Sequence, residues 1–187
     1  MENKRNDRRI RYTKYVIHDA LFQLLGTKSL DAISVTELCA LADVNRGTFY
    51  KYYADVPDLF HQIEDEMYEQ MKEVLDIGLS EGSYKTFERI MDILLKNKDM
   101  VFIMLRALDS SRLIQKLILY AKNLLLNEEI GYLASYPEEE RDYILTYQIG
   151  GAEALLTHWV QEGMETPAEL ICGVLDKMVY FNAYDAG

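Results

Sequence analysis

The stretch SVTELCALADVNRGTFYKYYADVPD, residues 34–58, carries several helix start signals in close succession and restricts the fold more than any other part of the chain. Ser34 and Glu37 form a capping box, in which two side chains satisfy backbone N–H groups at a helix start. Asn45 is a suitable N-cap for a second helix. Asp43 can take the left-handed backbone conformation that a tight turn between two helices needs. The pattern predicts two short helices joined by a tight turn.

Apolar residues elsewhere recur at the period of an amphipathic helix, and no segment shows the alternation of a strand. The first helix is predicted to begin at Thr13, as N-cap, and to be ended by Gly26. Asp55 is the predicted cap of a long helix with Pro57 in its first turn. The predicted helices cover residues 13–25, 34–42, 46–53, 55–77, 84–96, 99–108, 112–133, 138–162 and 167–182, an all-α fold of about nine helices.

The charge of the chain is unevenly distributed. The formal net charge is −11, yet residues 1–60 contain nine basic and eight acidic side chains, and the first fifteen residues carry an excess of four positive charges. Phosphate binding depends on the field within a Debye length, about 8 Å at physiological salt. The basic N-terminal segment therefore fits either contact with a polyanion or a solvated tail, whereas the acidic remainder would repel nucleic acid.

The N-terminal segment and the cysteines predict a protein of the cytoplasm. The segment is basic and then moderately apolar, but it contains His18 and Asp19 and lacks the small-residue cleavage site of a signal peptide. No apolar run is long enough to span a membrane. Cys39 and Cys172 lie far apart among apolar residues, so we expect buried free thiols rather than a disulfide or a metal site. No cofactor is predicted.

Three helices with a tight turn between the second and third form the helix-turn-helix arrangement of DNA-binding proteins. A helix fits the major groove, where its first residues reach base edges while neighbouring groups bind phosphates. The predicted third helix offers cations at Arg46 and Lys51, with hydrogen-bonding side chains around them. Phe49 and Tyr53 are four positions apart and are expected to pack back against the first helix. A purely structural three-helix unit with a polar surface helix is the alternative from these residues alone.

The same residues resemble the DNA-binding segment of the tetracycline-repressor (TetR) family of bacterial regulators. That family shows a Gly-Val-Ser turn followed by Lys-Gly-Thr-Leu/Phe-Tyr-x-Tyr/His-Phe. The residues that match in place are Val44, Gly47, Thr48, Phe49, Tyr50 and Tyr52. Asn45, Arg46 and Tyr53 stand for the usual serine, lysine and phenylalanine, and Asp43 stands for the usual glycine. The resemblance covers about residues 8–68.

The resemblance implies a homodimer in which each subunit places its third helix in the major groove at one half of a near-palindromic operator. It implies a homeodomain-like DNA-binding domain over 1–55 and a helical domain for effector binding and dimerisation over 56–187. The implied DNA-contacting residues are Asn45, Arg46, Gly47, Thr48, Tyr50, Lys51 and Tyr52, with Thr36 at a phosphate and Arg9, Arg11 and Lys14 at the DNA backbone or minor groove. Asp43 would add a negative charge near the phosphates.

The helix predicted over 138–162 carries apolar residues spaced by four and three positions, a narrow seam suited to pairing with another helix. Gly150 and Gly151 lie in its middle and fit a close helix–helix approach, a kink or a pocket. In the TetR family the last two long helices form the dimer interface. This implies an interface built from Leu145, Ile149, Ala152, Leu156, Trp159, Ile171, Val174, Leu175 and Met178, with an ordinary core as the alternative.

The C-terminal segment YILTYQIGGAEALLTHWVQEGMETPAELICGVL resembles a class common in Gram-positive members of the family, some of them activators associated with dihydroxyacetone kinase systems. The implied function is DNA-binding regulation, with repression released by a small molecule as the first form. The alternative is an activator that acts through protein–protein contact without an inducer pocket. Adaptable or amphipathic residues could line an effector pocket or form plain core: Met91, Met100, Phe102, Met104, Tyr120, Tyr143 and Tyr147.

Catalysis is not expected. His18, His61 and His158 are far apart in the sequence, and His61 with Glu64 and Asp65 falls short of a metal site. No P-loop, dinucleotide-binding glycine pattern or nucleophile elbow occurs. A helix-turn-helix protein that mainly contacts another protein is a further alternative, whose DNA binding would depend little on salt.

Overall fold

The computed structural model describes residues 2–106, 112–127 and 133–184, which form nine α-helices, two short 3₁₀ helices and no strand. The 3₁₀ helices are Leu30–Ala32 and Leu133–Ser135. The all-α prediction is confirmed. The α-helices are α1 (Glu2–Leu25), α2 (Val35–Leu41), α3 (Arg46–Phe49), α4 (Val56–Glu81), α5 (Ser83–Lys96), α6 (Lys98–Arg106), α7 (Leu113–Asn127), α8 (Glu138–Gln161) and α9 (Ala168–Tyr184).

The chain divides into two compact units, and two of the three boundaries between them fall inside α4 and α6. The N-terminal unit contains Met1–Glu66 and Ile103–Ser111, and the C-terminal unit contains Met67–Phe102 and Arg112–Gly187. Part of the predicted helix over 112–133 lies outside the described residues, as do the last positions of the helix predicted over 99–108.

The N-terminal unit is built on the buried face of α1. Ile17, Leu21 and Leu24 recur at helical spacing and are buried, so α1 has one apolar stripe. α1 packs against α2, and α2 packs against α3. Phe49 of α3 and Phe60 of α4 are fully buried in the same unit.

Side-chain hydrogen bonds cap the N-termini of three helices of this unit. The N–H of Glu37 donates to Ser34 Oγ at 3.2 Å, and the N–H of Gly47 donates to Asn45 Oδ1 at 2.7 Å. Asp55 Oδ1 accepts from the N–H of Asp58 at 2.8 Å. The predicted caps at Ser34, Asn45 and Asp55 are therefore confirmed. The Glu37 carboxylate binds Lys28 Nζ at 2.5 Å, so an ion pair replaces the reciprocal half of the predicted capping box.

Three predicted helix bounds are wrong, and one of them is the end of the helix predicted over 55–77, which continues to Glu81 as α4. α1 begins at Glu2, and Thr13 lies inside it, where the hydroxyl donates to the carbonyl of Arg9 at 2.9 Å. The polar extension before Ile17 carries no apolar stripe, so periodicity could not detect it. α3 ends at Phe49 rather than at Tyr53, because the chain turns after its C-cap residue.

The C-terminal unit is held by packing of α5 on α9, α7 on α8 and α8 on α9. Trp159 is 1% exposed, and its Nε1–H donates to the carbonyl of Thr166 at 2.7 Å across the turn between α8 and α9. Gly163 and Met164 have φ values of 80° and 56°, so this turn is left-handed at two consecutive residues. The indole bond and the turn together fix how α9 leaves α8.

The close packing of α5 against α4 explains the glycine at position 78. A Cβ added at Gly78 would lie 2.2 Å from Thr86 Oγ1 of α5. Because that distance is far below any real contact, a larger residue at this position would push the two helices apart.

Candidate nucleic-acid interface

The turn between α2 and α3 is the tight connection of a helix-turn-helix. Asp43 has a φ of 52°, the left-handed conformation expected for it, and the N–H of Val44 donates to the carbonyl of Cys39 at 3.0 Å. Asn45 then caps α3 through its side chain. The turn fixes the direction in which α3 leaves α2, and it leaves the Asp43 side chain exposed.

The recognition segment, which we define as residues 46–53, has two buried aromatic side chains, and its other side chains are exposed or half-buried. Phe49 and Tyr53 are 0% and 2% exposed, and the Tyr53 ring contacts His18 of α1, as expected for Tyr53. Their rings lie 5.5 Å apart between centroids. The residues predicted to contact DNA lie outside this core: Asn45, Arg46, Gly47, Tyr50 and Lys51 are exposed, and Thr48 and Tyr52 are half-buried.

The other predicted DNA contacts differ in their availability. Thr36 is exposed on the first turn of α2, and Arg9 and Arg11 are exposed on α1. The ammonium group of Lys14 lies 3.6 Å from the Glu66 carboxylate and 6.0 Å from the ring centre of Tyr53. Lys14 is therefore engaged inside the N-terminal unit, whereas the two arginines present their charge to solvent.

A hydrogen bond between α1 and the recognition segment was missed at the sequence level. His18 Nε2 lies 3.0 Å from the hydroxyl oxygen of Tyr53. Burial lowers the pKa of His18, against the nearby charge of Glu66 and together with that of Lys14. Burial also raises the pKa of the Tyr53 hydroxyl, so the phenol stays protonated. No spacing rule pairs residues so far apart, although the hydroxyl of a buried tyrosine signals that it needs a partner.

The residues predicted for a dimer interface are divided between the core and the surface. Leu145, Trp159, Ile171 and Leu175 are buried inside one chain, which fits the ordinary core that the sequence left as the alternative, and the dimer interface stays a prediction. A side chain already buried in the protomer has no further area to bury. Ile149, Ala152, Leu156 and Val174 are half-buried, and Met178 is 63% exposed.

The opposite side of α8 carries the exposed apolar surface. Tyr143 and Tyr147 are 77% and 79% exposed, one helical turn apart. A Cβ added at Gly150 or Gly151 would meet no atom within 4 Å, so both glycines border open space. On α9, Leu170 is 56% exposed. We group these exposed residues of α8 and α9 with Met178 under the name tyrosine face: Tyr143, Tyr147, Gly150, Gly151, Leu170 and Met178.

The residues predicted for an effector pocket do not share one environment. Met91 and Met104 are buried, Met100 is half-buried, and Tyr147 belongs to the tyrosine face. The Tyr120 hydroxyl donates to Asp76 Oδ1, which raises the pKa of Tyr120 to about 12. Tyr120 therefore takes part in a side-chain cluster between helices.

That cluster joins α4 to α7 within the C-terminal unit. Lys72 Nζ of α4 lies 5.4 Å from the ring centre of Tyr120, and Lys116 Nζ of α7 lies 5.8 Å from that of Tyr68. The two tyrosine rings meet edge to face at 6.2 Å. Each cation thus rests on an aromatic ring of the other helix, an arrangement that contributes to packing.

The described residues contain no group of histidine, cysteine or acidic side chains that could hold a metal ion. His61 Nδ1 lies 2.9 Å from Glu64 Oε2, and Glu64 is 3% exposed. Cys39 and Cys172 are buried free thiols, as expected, and burial raises the pKa of both. Within the same part of the chain, no helix is both long and apolar enough to cross a lipid bilayer.

An all-α chain with a capped tight turn, two buried aromatic anchors and an exposed polar segment has the architecture of a helix-turn-helix regulator. A family model described as "Transcriptional regulator C-terminal region", of the TetR group, matches residues 81–180, more than half of the chain. The chain belongs to the TetR family of transcriptional regulators. The resemblance inferred from the sequence is thereby confirmed.

Solved structures show the same fold. The chain is similar to the "Dihydroxyacetone kinase operon activator DhaS" at a TM-score of 0.61 and 17% identity, over 93% of this chain and 96% of that one. It is similar to the "fatty acid degradation regulator FadR from Bacillus halodurans" at a TM-score of 0.65 and 16% identity, over 89% and 94% of the two chains. Comparison with curated protein sequences gave no match.

Proposed function

We propose that the protein is a sequence-specific DNA-binding regulator that reads one half of a near-palindromic operator with each recognition segment of a homodimer. The observation that carries the proposal is the division of the segment. Phe49 and Tyr53 bury their rings, while Arg46, Tyr50 and Lys51 stay exposed on a helix-turn-helix. Such a segment can enter the major groove with its cations and donors toward bases and phosphates.

The charge distribution supports this orientation. The net charge of −11 comes from residues after position 60, whereas Arg9 and Arg11 extend the basic surface along α1. Because exposed charges more than about 8 Å apart are largely screened, phosphate binding depends on the local basic charge rather than on the net charge of the chain. We therefore assign Arg9 and Arg11 to phosphate or minor-groove contacts and Thr36 to a phosphate. Lys14 has the weaker case, since it pairs with Glu66.

We propose the tyrosine face as the surface through which two copies associate. Exposed aromatic residues beside small ones allow two helices to approach closely and bury large apolar areas. This replaces the buried members of the predicted interface and keeps Met178. The half-buried Val174, which lies between Leu170 and Met178 along α9, would border this interface, whereas the half-buried Ile149, Ala152 and Leu156 lie on the other side of α8.

The domain roles, the location and the sign of regulation follow as parts of the proposal. Residues 1–55 would bind DNA, residues 56–187 would dimerise and sense an effector, and the protein would act in the cytoplasm without catalysis or a cofactor. Repression released by a small molecule is the first form. The second form is activation through protein–protein contact without an inducer pocket, and the fold likeness to a protein named as an operon activator supports the activating sign alone.

Selection of duplexes from a random DNA library by the purified protein tests the proposal directly. We expect an enriched motif with two-fold symmetry, a footprint of matching length on a duplex carrying it, and a molecular mass of two chains for the free protein. Enrichment of no motif would contradict sequence-specific binding, and a folded monomer that still binds the motif tightly would contradict the dimer.

A titration of the salt concentration distinguishes a regulator that binds DNA directly from a helix-turn-helix protein that acts mainly through contacts with other proteins. Phosphate contacts release counterions, so DNA affinity must fall steeply as salt rises. A slope near zero would favour a protein that works mainly through other proteins.

A further inference from the structure

The recognition segment depends on contacts outside itself for its orientation. α3 is four residues long, and isolated helices shorter than about 12 residues are marginal in water. The exposed side chains can discriminate bases only if the segment holds a fixed angle and depth in the groove. Residues that set this angle therefore govern recognition without touching DNA.

His18 of α1 contacts the end of the recognition segment. Its Nε2 atom lies 3.0 Å from the Tyr53 hydroxyl, and the Tyr53 ring is 2% exposed against Phe49. A buried phenol needs an acceptor for its proton, and neutral imidazole offers a nitrogen lone pair. Burial lowers the pKa of His18 and so favours the neutral imidazole, and with the ring proton on Nδ1 the Tyr53 hydroxyl donates to Nε2.

This bond joins two parts of the proposed DNA-reading surface. α1 carries the exposed Arg9 and Arg11, and the recognition segment carries Arg46 and Lys51. Non-specific binding needs these charges near phosphates, whereas specific binding needs the base-reading groups at fixed positions. A contact that fixes α1 against the recognition segment therefore affects specific binding, because it holds the base-reading groups at fixed positions.

We propose that His18 is a positioning residue for DNA recognition, which accepts the Tyr53 hydroxyl proton and so fixes the angle between α1 and the recognition segment. This inference rests on the proposed DNA-binding function. It predicts that loss of the bond lowers discrimination between the operator and other DNA. Affinity for DNA of unrelated sequence should stay unchanged, because the charges remain.

The test compares two duplexes: one selected by the wild-type protein from a random library, and one of the same length and composition with a scrambled sequence. Tyr53→Phe removes only the hydroxyl, and His18→Leu removes the acceptor. Each is expected to lower the ratio of the two affinities roughly tenfold, the scale of a buried hydrogen bond left unpaired. Tyr84→Phe, which removes an exposed hydroxyl on α5, is the matched control and should leave the ratio unchanged.

Two further variants separate positioning from general stability. His18→Gln places an amide oxygen as far along the side chain as Nε2, so it should restore most of the ratio. The double variant His18→Leu/Tyr53→Phe should be no worse than His18→Leu, because both changes remove one bond. Circular dichroism melts verify folding, and if His18→Leu does not fold, Tyr53→Phe and His18→Gln still decide.

The outcomes distinguish this inference from the function beneath it. A wild-type protein that selects no sequence overturns both. A wild-type protein that selects a motif, with Tyr53→Phe and His18→Leu keeping its full ratio, overturns only the role of His18. The role of His18 is also overturned if the double variant loses as much of the affinity ratio as the two single variants combined. It is overturned as well if the variants lose affinity equally for both duplexes.

Discussion

The recognition segment and α8 each have a buried and an exposed side, but they distribute their chemistry differently. In the recognition segment the buried side is aromatic and the exposed side is charged or hydroxyl-bearing. On α8 large apolar or aromatic side chains occur on both sides: Leu145 and Trp159 are buried, while Tyr143 and Tyr147 are 77% and 79% exposed. An exposed side that contrasts with the core fits a polar ligand such as DNA, whereas one that matches the core fits a second protein surface.

This difference separates the effects that substitutions should have. Changes on the buried side of either element should lower stability. Changes on the exposed side of the recognition segment should alter DNA binding while the protein stays folded, and changes on the exposed side of α8 should alter the proposed association.

The largest expected effect is that of Trp159→Ala on stability. The indole is 1% exposed and bonded to Thr166, so truncation leaves a cavity and an unpaired carbonyl. Loss of a buried tryptophan costs about 3–5 kcal/mol of unfolding free energy. Urea denaturation followed by circular dichroism measures this loss. His158→Ala, at the exposed neighbouring position, should change stability by less than about 0.5 kcal/mol. An equal, small effect of both would show that Trp159 lies at a surface.

The next effect is that of Tyr147→Ala on association. An aromatic residue at the centre of an interface is a typical hot spot, worth about 2 kcal/mol or more, which is roughly thirtyfold in the dimer dissociation constant. Sedimentation equilibrium measures that constant. Tyr84→Ala, which truncates an exposed tyrosine of α5, is the control and should leave it unchanged. A variant that dimerises as tightly as the wild type would exclude the tyrosine face as the interface.

The two regions also differ in what could be predicted from their sequences. Caps, the turn and the anchors of the recognition segment depend on local rules, so Asn45, Asp43 and Phe49 could be placed correctly. The apolar spacing of α8 predicted a helix with one seam, but periodicity cannot tell whether a seam faces the core or a second chain. The sequence signal for the exposed side of α8 was the pair Tyr143 and Tyr147 close to Gly150 and Gly151. The His18–Tyr53 bond depends on tertiary packing and could not be predicted.

A smaller effect is expected for Lys51→Ala on DNA binding. Lys51 is exposed at the end of the recognition segment, where an ammonium group can pair with a phosphate. We expect affinity to fall roughly tenfold for all sequences and the salt slope to fall by about one. Fluorescence anisotropy over a salt series measures both quantities.

Two further variants accompany that measurement. Tyr52→Phe, which removes a half-buried hydroxyl, should weaken binding less than Lys51→Ala does. Lys85→Ala, on α5, should leave both quantities unchanged. An unchanged salt slope in Lys51→Ala would remove Lys51 from the DNA face.

The smallest effect concerns Asp43, whose left-handed conformation and negative charge can be separated. With a φ of 52°, Asp43 is strained relative to glycine, but glycine adds entropy to the unfolded chain, so Asp43→Gly should raise stability by less than about 1 kcal/mol. Asp43→Asn keeps the shape and removes the charge. If the charge repels phosphates, both variants should bind DNA a few-fold more tightly at low salt, and the gain should vanish at high salt as screening grows. A gain confined to Asp43→Gly would instead assign the effect to backbone freedom in the turn, and the recognition segment would then be limited by its turn rather than by its charge.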